Sequence, residues 1–339
     1  MLGLYTYKDM LRTVDATAKS LARHTSNGQG LFYPARRGLG WEMAPYGSHQ
    51  VDRCTSDAFG FRPTSREGAA AELPRVSIWG DSLVQGGEVQ DSDSWPWLLQ
   101  ERLQTFCRVI NGGVSGYGTD QAFLRMMDRF ESVSPSIAIL SYATTDLFRN
   151  VNVLRCFLHH SADFIALKPR YKLDGGGLAL VEPPHFEYVQ APAELRKQSV
   201  RDFLRRHDAF YPRLISQAAG KARRAIGVQH PAASLRTEAL EITKRIFGEF
   251  FGYCAERRVH GVALLLPVFQ GRYRTAEDFD AMVDFFQRGA FPYVDLRPEM
   301  REASKDSPNA YFTPRNHYTR RAGQIIAERV AETAREILS

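Results

Sequence analysis

The sequence predicts an α/β fold in which one parallel sheet is covered by helices on both faces. Five short apolar runs have the length and the unbroken hydrophobic character of buried parallel strands. Amphipathic patterns of helical period separate most of them, and this alternation is typical of a doubly wound sheet. The expected strands are Val76–Trp79, Cys107–Asn111, Ile137–Ser141, Gly261–Val268 and Tyr293–Leu296.

Helices are expected between and after these strands. The first carries Pro96 in its first turn, where the missing N–H is tolerated, and another runs from about Thr119 to Glu131. A long helix follows Ser234, which suits an N-cap, and the last begins near Thr319. In the last two helices the apolar residues recur on one face, as packing against a sheet requires.

Two regions break this alternation. Residues 1–74 hold Gly, Pro and aromatic residues without clean periodicity, which predicts an N-terminal extension that packs on the core. Residues 151–233 interrupt the pattern after the third strand. Within them we expect a hairpin with its turn at Asp174–Gly177, and then a short helix. We interpret residues 151–233 as a cap or lid inserted into a main domain of residues 75–339.

The composition is that of a globular protein without a membrane span. The 339 residues are 44% hydrophobic, and they contain no apolar run of the roughly 18 residues that a span needs. The start of the chain lacks an apolar stretch of signal-peptide length, so we expect a cytoplasmic protein that does not contact membranes. The four cysteines lack metal-ligand or paired spacing, which indicates reduced, structural residues.

The positive charge of the chain is concentrated in one segment. Residues 151–233 contain 13 Lys and Arg against 7 Asp and Glu, a difference of +6 that equals the net charge of the whole chain. Such a segment can attract anionic partners. We prefer the alternative, a solvated charged face, because no aromatic-interleaved basic stripe or nucleic-acid motif accompanies the charge. No nucleic-acid partner is therefore expected, and the sequence does not indicate an oligomeric state.

The first strand leads directly into Gly80-Asp81-Ser82-Leu83. A serine at the carboxyl end of a strand, where Gly80 permits a sharp turn, lies where open α/β sheets bind their ligands. The helix that follows would direct its N-terminus toward Ser82 and favour a developing anion. The alternative is a turn serine that only caps a helix, and the short motif by itself does not exclude it.

Three further segments follow strands or precede the final helix. The loop NGGVSGYGTDQ after the second strand is rich in glycine, which leaves backbone N–H groups accessible as oxyanion donors. A phosphate cradle is the alternative, but the G-x-G-x-x-G spacing is absent. The third strand is followed by ATTDLFRN, and His317 lies in NHYTRR just before the last helix. Because parallel strands end at one edge of a sheet, we expect these segments to converge there.

In this order, the segments resemble the sequence blocks of the SGNH (GDSL) hydrolase superfamily over roughly residues 75–338, excluding the insertion. By this resemblance, Ser82 is the nucleophile, His317 is the catalytic base, and Gly116 is the oxyanion glycine of the second block. The resemblance implies a flavodoxin-like three-layer α/β/α sandwich with a parallel sheet. It also implies ester hydrolysis or acyl transfer, frequently on acylated carbohydrates, without a metal or organic cofactor.

Two positions depart from the superfamily's pattern. The third block normally supplies an oxyanion asparagine, and this chain has Thr145 there, whose shorter hydroxyl can still donate one hydrogen bond. The fourth block normally carries an aspartate shortly before the histidine, and the corresponding positions are Pro314 and Arg315. The imidazole would then be oriented by a backbone carbonyl, such as that of Pro314, or by an acid from elsewhere, such as Asp306. The sequence leaves this choice open.

The sequence therefore predicts a serine esterase that acts through a dyad or triad of Ser82 and His317 on the O-acyl ester of a carbohydrate or another small metabolite. The oxyanion would be bound by the backbone N–H groups of Ser82 and Gly116, with Thr145 as a further donor. Two alternatives stay open. One is an O-acyltransferase of the same fold, and the other is a catalytically degenerate domain that only binds a ligand.

Overall fold

The computed structural model describes residues 11–12, 14–15, 32–49, 53–66, 72–158, 165–186, 190–211, 232–268 and 276–339. The chain divides into two compact units. The first comprises Met1–Glu42 and Phe148–Ile242, and the second comprises Met43–Leu147 and Thr243–Ser339. The second unit contains the main sheet and the segments that the sequence analysis selected as site candidates. The predicted roles of residues 1–74 and 151–233 stay predictions.

The described strands, in chain order, are β1 (Phe32–Arg36), β2 (Gly40–Met43), β3 (Ser48–His49), β4 (Cys54–Thr55), β5 (Arg75–Trp79), β6 (Arg108–Asn111), β7 (Ile137–Tyr142), β8 (Arg170–Asp174), β9 (Gly177–Val181), β10 (His260–Leu265) and β11 (Tyr293–Asp295). The described helices are α1 (Ser82–Gln85), α2 (Trp95–Leu103), α3 (Thr119–Val133), α4 (Thr144–Arg149), α5 (Ala191–Glu194), α6 (Gln198–His207), α7 (Ala232–Glu256), α8 (Ala276–Arg288), α9 (Arg297–Ser304), α10 (Pro308–Tyr311) and α11 (Arg320–Leu338).

The main sheet has five strands in the order β11-β10-β7-β5-β6, and neighbouring strands run parallel. Numbered by their sequence within this sheet, the order is 2-1-3-4-5, which is that of flavodoxin-like doubly wound folds. The direction of winding reverses between β5 and β7, so the crevice outside the ends of these two strands is the topological switch point. The predicted flavodoxin-like α/β/α sandwich is confirmed.

Helices cover both faces of the sheet. On one face, Val76 and Ile78 of β5 lie in a buried cluster with Leu98 of α2 and Ile326 of α11. Because side chains alternate along a strand, Trp79 faces the opposite side. Aromatic rings dominate the packing of that layer. Edge-to-face pairs join α3 to α7 (Phe123 with Phe250) and α7 to α8 (Phe247 with Phe286).

The structure corrects two of the predicted element boundaries. Ser234 is not an N-cap, because α7 already includes Ala232 and Ser234 lies inside the helix. The physical reason is that two alanines precede Ser234, and alanine has the highest helix propensity. The fourth strand ends at Leu265 rather than Val268, since Pro267 cannot donate to a strand ladder. The predicted hairpin is confirmed, with Asp174 paired to Gly177 across the turn from β8 to β9.

A buried carboxylate organises part of the first unit. Asp208 accepts hydrogen bonds from the backbone N–H groups of Val153 at 2.6 Å, Leu154 at 2.8 Å and Phe210 at 2.8 Å. Burial raises the pKa of Asp208, although these backbone donors and the charge of Arg170 act in the opposite direction. The carboxylate thereby joins backbone donors of residues 153–154 to the backbone of residue 210, more than 50 residues later in the chain.

The four cysteines are free thiols and all are buried. Burial raises the pKa of Cys107 to about 11 and the pKa values of Cys156 and Cys254 to about 12, so these thiols are protonated and unreactive at neutral pH. Among the helices of the described residues, none has the length and apolar character that crossing a bilayer requires.

Candidate active site

Ser82 is the first residue of α1 and follows β5 after a tight turn. Asp81 is the N-cap of this helix, and its side chain accepts a hydrogen bond from the backbone N–H of Leu83 at 2.8 Å. A Cβ atom at Gly80 would lie 2.0 Å from the hydroxyl oxygen of Ser141 on the neighbouring strand, so only glycine fits there. The sharp turn therefore needs Gly80, and it places Ser82 at the switch point of the sheet.

His317 lies in a tight loop between α10 and α11. The loop is closed by hydrogen bonds from the backbone N–H of Thr313 to the carbonyl of His317 at 2.9 Å and from the N–H of Asn316 to the carbonyl of Thr313, also at 2.9 Å. Phe312 and Tyr318 pair at its base. This geometry directs the imidazole toward Ser82. The distance between His317 Nε2 and Ser82 Oγ is 2.8 Å, which is a hydrogen bond.

The other ring nitrogen of His317 contacts a carboxylate that was not among the residues predicted from the sequence. His317 Nδ1 lies 2.7 Å from Oε2 of Glu88. The hydroxyl of Thr313 donates to the same carboxylate oxygen and accepts a hydrogen bond from the backbone N–H of His317 at 3.0 Å. Neither the Pro314 carbonyl nor Asp306, the two partners considered from sequence, takes this position.

The electrostatics of Glu88 keep its carboxylate ionised. Partial burial acts to raise the pKa of Glu88, but hydrogen bonds from Thr313 and His317, together with the charges of His317 and Arg315, outweigh it and lower the pKa below its ordinary value of 4.5. The carboxylate is therefore negative at neutral pH. An ionised acceptor favours the tautomer of His317 that carries its proton on Nδ1 and leaves Nε2 free to accept the proton of Ser82.

Two glycines let the chain return from α1 to the imidazole. Gly86 ends the helix with a φ of +87°, in the left-handed region that favours glycine. The N–H groups of Gly86 and Gly87 both donate to the carbonyl of Ser82 at 2.9 Å. A Cβ atom at Gly87 would lie 3.0 Å from His317 Nε2, so the backbone of Gly87 packs directly against the ring. Glu88 follows at once, which explains how a residue so near Ser82 reaches the far side of the imidazole.

The oxyanion candidates follow the strands on either side of β5. Gly116 lies after β6 in a turn closed by a hydrogen bond from Tyr117 N–H to the carbonyl of Val114 at 3.2 Å, and its φ of +81° requires glycine. Thr145 lies in the first turn of α4, after β7, and is half-buried. Within the part of the chain that the structure describes, the N–H groups of Ser82 and Gly116 donate no hydrogen bond.

Two other glycines of the loop after β6 allow close packing. A Cβ atom at Gly112 would lie 2.4 Å from the ring of Trp79, and one at Gly113 would lie 2.3 Å from the backbone nitrogen of Gln85 in α1. These glycines allow the loop to pack against the strand and helix that carry Ser82. Asp146 holds the start of α4, because its side chain accepts a hydrogen bond from the N–H of Ala143 at 3.0 Å.

A serine and an imidazole that share a hydrogen bond at the switch point of a doubly wound sheet are typical of an α/β serine hydrolase. The sequence model of the GDSL-like lipase/acylhydrolase family matches residues 78–325. The chain belongs to this family, and it is an ester-hydrolysing enzyme. No curated protein matches the chain in sequence.

Solved structures with a similar fold include two enzymes. The psychrotrophic esterase EstA from Pseudoalteromonas sp. is 11% identical, with a TM-score of 0.43, and the match covers 78% of this chain and 98% of EstA. The α/β hydrolase LAE5 from the metagenome of Lake Arreo is 14% identical, with a TM-score of 0.44, and the match covers 80% of this chain and 98% of LAE5. At this degree of similarity, neither adds to the assignment, which depends on the family model.

The contact of Glu88 with the imidazole had only a weak signal in the sequence. The stretch Gly86-Gly87-Glu88 places an acid six residues after Ser82, beside glycines that permit a reversal of the chain. A second signal was the absence of an acid from its usual place, because Pro314 and Arg315 occupy those positions. Neither signal specifies contact with His317, since that contact depends on how the loop after α1 folds back.

Proposed function

We propose that this enzyme hydrolyses an O-acyl ester with Ser82 as the nucleophile and His317 as the general base. The observation that carries the proposal is the 2.8 Å distance between Ser82 Oγ and His317 Nε2, with Ser82 held at the carboxyl end of β5. A hydroxyl is a weak nucleophile by itself, and an adjacent imidazole activates it by accepting its proton.

The reaction has two halves. His317 Nε2 accepts the proton of Ser82 while Ser82 Oγ forms a bond to the ester carbonyl carbon, and the carbonyl electron pair moves to oxygen. The tetrahedral intermediate then collapses, the bond to the alcohol oxygen breaks, and His317 delivers the proton to the leaving alcohol. Water attacks the acyl-serine by the same route, which releases the carboxylic acid and returns the proton to Ser82.

The negative oxygen of each intermediate needs hydrogen-bond donors already in place. We assign this role to the backbone N–H groups of Ser82 and Gly116, since both lie at the carboxyl edge of the sheet and neither donates elsewhere in the described residues. Thr145 occupies the position of the superfamily's asparagine, and its hydroxyl supplies a third donor.

The substrate class that we propose is an acylated carbohydrate or another small acyl ester. Transfer of the acyl group to an alcohol instead of water follows the same chemistry. The two are distinguished by product analysis with and without an added alcohol acceptor. A new ester that forms in proportion to the acceptor identifies a transferase, and free acid alone identifies a hydrolase.

The test of the proposal is Ser82→Ala measured against short-chain acyl p-nitrophenyl esters and a fluorophosphonate probe. We expect the variant to lose both turnover and labelling while its circular dichroism spectrum is unchanged. Ser132→Ala is the matched control, because Ser132 is an exposed serine on α3 and should leave both signals intact. Unchanged hydrolysis by folded Ser82→Ala protein would refute the proposal. Absence of both signals in the wild type would instead favour a ligand-binding domain.

A further inference from the structure

We infer that Glu88 is the acid of the site: it orients His317 and stabilises the imidazolium, in place of the aspartate that the superfamily normally carries shortly before its histidine. The inference rests on the proposed function, because it concerns the residue that positions the proposed base. Glu88 touches neither Ser82 nor the reacting atoms, so its role is that of a positioning residue.

The contacts of the carboxylate match this role. Oε2 of Glu88 lies 2.7 Å from His317 Nδ1, and the ring and the carboxylate are each only 18% exposed. The hydroxyl of Thr313 donates to Oε2 from the side. One oxygen thus receives two donors, and both come from the loop that carries the imidazole. This arrangement fixes the orientation of the ring and the position of its proton together.

The segment before the histidine carries a positive charge where the superfamily normally has an aspartate. Arg315, which occupies one position of the superfamily's aspartate, places its Nε 3.6 Å from Oε1 of Glu88. The side chain of Arg315 is 82% exposed, so solvent screens most of this attraction. A carboxylate at residue 315 would add negative charge beside Glu88, whereas the arginine is compatible with an acid that comes from the other loop.

A buried arginine holds the loop that carries Glu88. The side chain of Arg62 is fully buried and donates to the carbonyls of Gln85 at 2.8 Å and Val89 at 2.7 Å, as well as to the carbonyl of Gly86. These acceptors lie on both sides of Glu88 along the chain. The guanidinium therefore fixes the backbone before and after the carboxylate.

A carboxylate fixes Arg62 in turn. Arg62 Nε donates to Asp91 Oδ1 at 2.7 Å, and the other oxygen of Asp91 accepts from the hydroxyl of Thr55 at 2.6 Å. This chain of bonds connects β4, Arg62 and the residues after Glu88. The loop is thus anchored to a second structural element and not only to α1.

The backbone of Glu88 itself is held in an unfavourable conformation. Its φ is +64°, in the left-handed region that residues with a Cβ rarely adopt. Strained residues of this kind persist where the surrounding structure over-determines them, and they cluster at functional sites. Here the strain coincides with the carboxylate that contacts the imidazole, and the bonds from Arg62 to the neighbouring carbonyls explain how it persists.

The test compares Glu88→Gln, Glu88→Asp and Glu88→Ala in the full chain by kcat/KM for a p-nitrophenyl ester and by the rate of fluorophosphonate labelling. In Glu88→Gln the amide can donate to Nδ1 and favour the wrong tautomer, so we expect a loss on the order of 10⁴-fold. Glu88→Asp keeps the charge and should recover part of the activity. Added formate should partly restore Glu88→Ala, which a merely structural role would not produce.

Asp306→Asn is the matched control, because it makes the same change from carboxylate to amide at an exposed acid close to the histidine in sequence. We expect wild-type kcat/KM for this variant. If Glu88→Gln stays within about threefold of the wild type while Ser82→Ala is inactive, the inference is overturned and the proposed function stands. If Ser82→Ala is itself unaffected, the proposed function fails first.

A measurement on the wild-type protein covers the case in which Glu88 variants do not fold. With ¹⁵N-labelled histidine, the Nδ1 proton of His317 should resonate strongly downfield, as expected for a proton held against a carboxylate, and His317→Asn should abolish the signal. A spectrum that shows the neutral His317 ring protonated on Nε2 instead would contradict the inference.

Discussion

The hydroxyl of Tyr318 donates a 2.6 Å hydrogen bond to the carbonyl of Pro267, and this bond ties the residue after His317 to the exit of β10. Tyr318 is only 4% exposed. Burial, with a further contribution from the charge of Asp81, raises the pKa of Tyr318 well above its ordinary value, so the hydroxyl stays protonated and can donate. The position of the proposed base thus depends on a strand that contributes no residue to the proposed reaction.

Tyr318→Phe should therefore reduce both stability and activity. The variant leaves the half-buried carbonyl of Pro267 without this donor, and loss of such a hydrogen bond costs about 1 kcal/mol. Urea unfolding should show this loss, and kcat should fall because the loop of His317 loses its fixed end. Tyr46→Phe is the control, since Tyr46 is 71% exposed. Equal stability of the Tyr318→Phe variant and the wild type would show that the bond is dispensable.

Gly87→Ala should lower activity with little effect on folding. The added Cβ would lie 3.0–3.2 Å from atoms of the His317 ring, and the ring is held by hydrogen bonds to Ser82 and Glu88. The imidazole must shift by a few tenths of an ångström, and misplacement of a base slows proton transfer. The decrease should be in kcat, as measured by steady-state kinetics, with the melting temperature nearly unchanged.

Gly248→Ala is the matched control for that variant. Gly248 lies inside α7, and nothing lies within 4 Å of a Cβ added there. Alanine should therefore stabilise the helix by about 1 kcal/mol and leave kcat unchanged. If both variants had the same kcat, the close contact of Gly87 with the ring would have no catalytic consequence.

Thr145→Val tests the proposed third oxyanion donor. Valine has the shape of threonine without the hydroxyl, so the variant removes one donor and little else. Loss of a working donor should lower kcat by as much as roughly 10²–10³-fold with a smaller change in KM. Thr144→Val, at the preceding position of α4, serves as the control. An unchanged kcat for Thr145→Val would leave the oxyanion to the backbone donors alone.

The lowered pKa of Glu88 predicts how its contribution to stability depends on pH. Because the folded-state pKa lies below the ordinary value of 4.5, the stabilisation is fully present above that value and is lost as the pH falls through the folded-state pKa. The difference in free energy of unfolding between wild type and Glu88→Gln should therefore be present at pH values above 4.5. It should then shrink as the solution becomes more acidic. A difference that grew as the pH fell below 4.5 would contradict the sign of the shift.

The strands of the main sheet could be predicted from the sequence because each depends on a short, local pattern of residues. Each strand of the main sheet is a short apolar run, and four of the five were predicted within two residues of both observed ends. The exception, β10, was extended past Pro267, where the ladder stops for lack of a donor. The candidates Ser82 and His317 were also accessible, since both lie in segments next to strand or helix ends, and the shared edge of a parallel sheet brings such segments together.

The acid beside His317 could not be found in this way. The position of this acid depends on the left-handed backbone of Glu88 itself and on the return of the chain past Gly87. It also depends on the hydrogen bonds of Arg62, a buried residue 26 positions earlier. None of these is a local preference of the residues concerned. The sequence by itself determined the strands and the edge where the serine and the imidazole meet, because hydrophobic period follows from short stretches of chain and parallel strands end at the same edge. Only the tertiary structure decided that Glu88 is the acid that contacts the imidazole. That contact depends on the loop after α1, on the loop that carries His317 and on the hydrogen bonds from Arg62, and these lie far apart in the sequence.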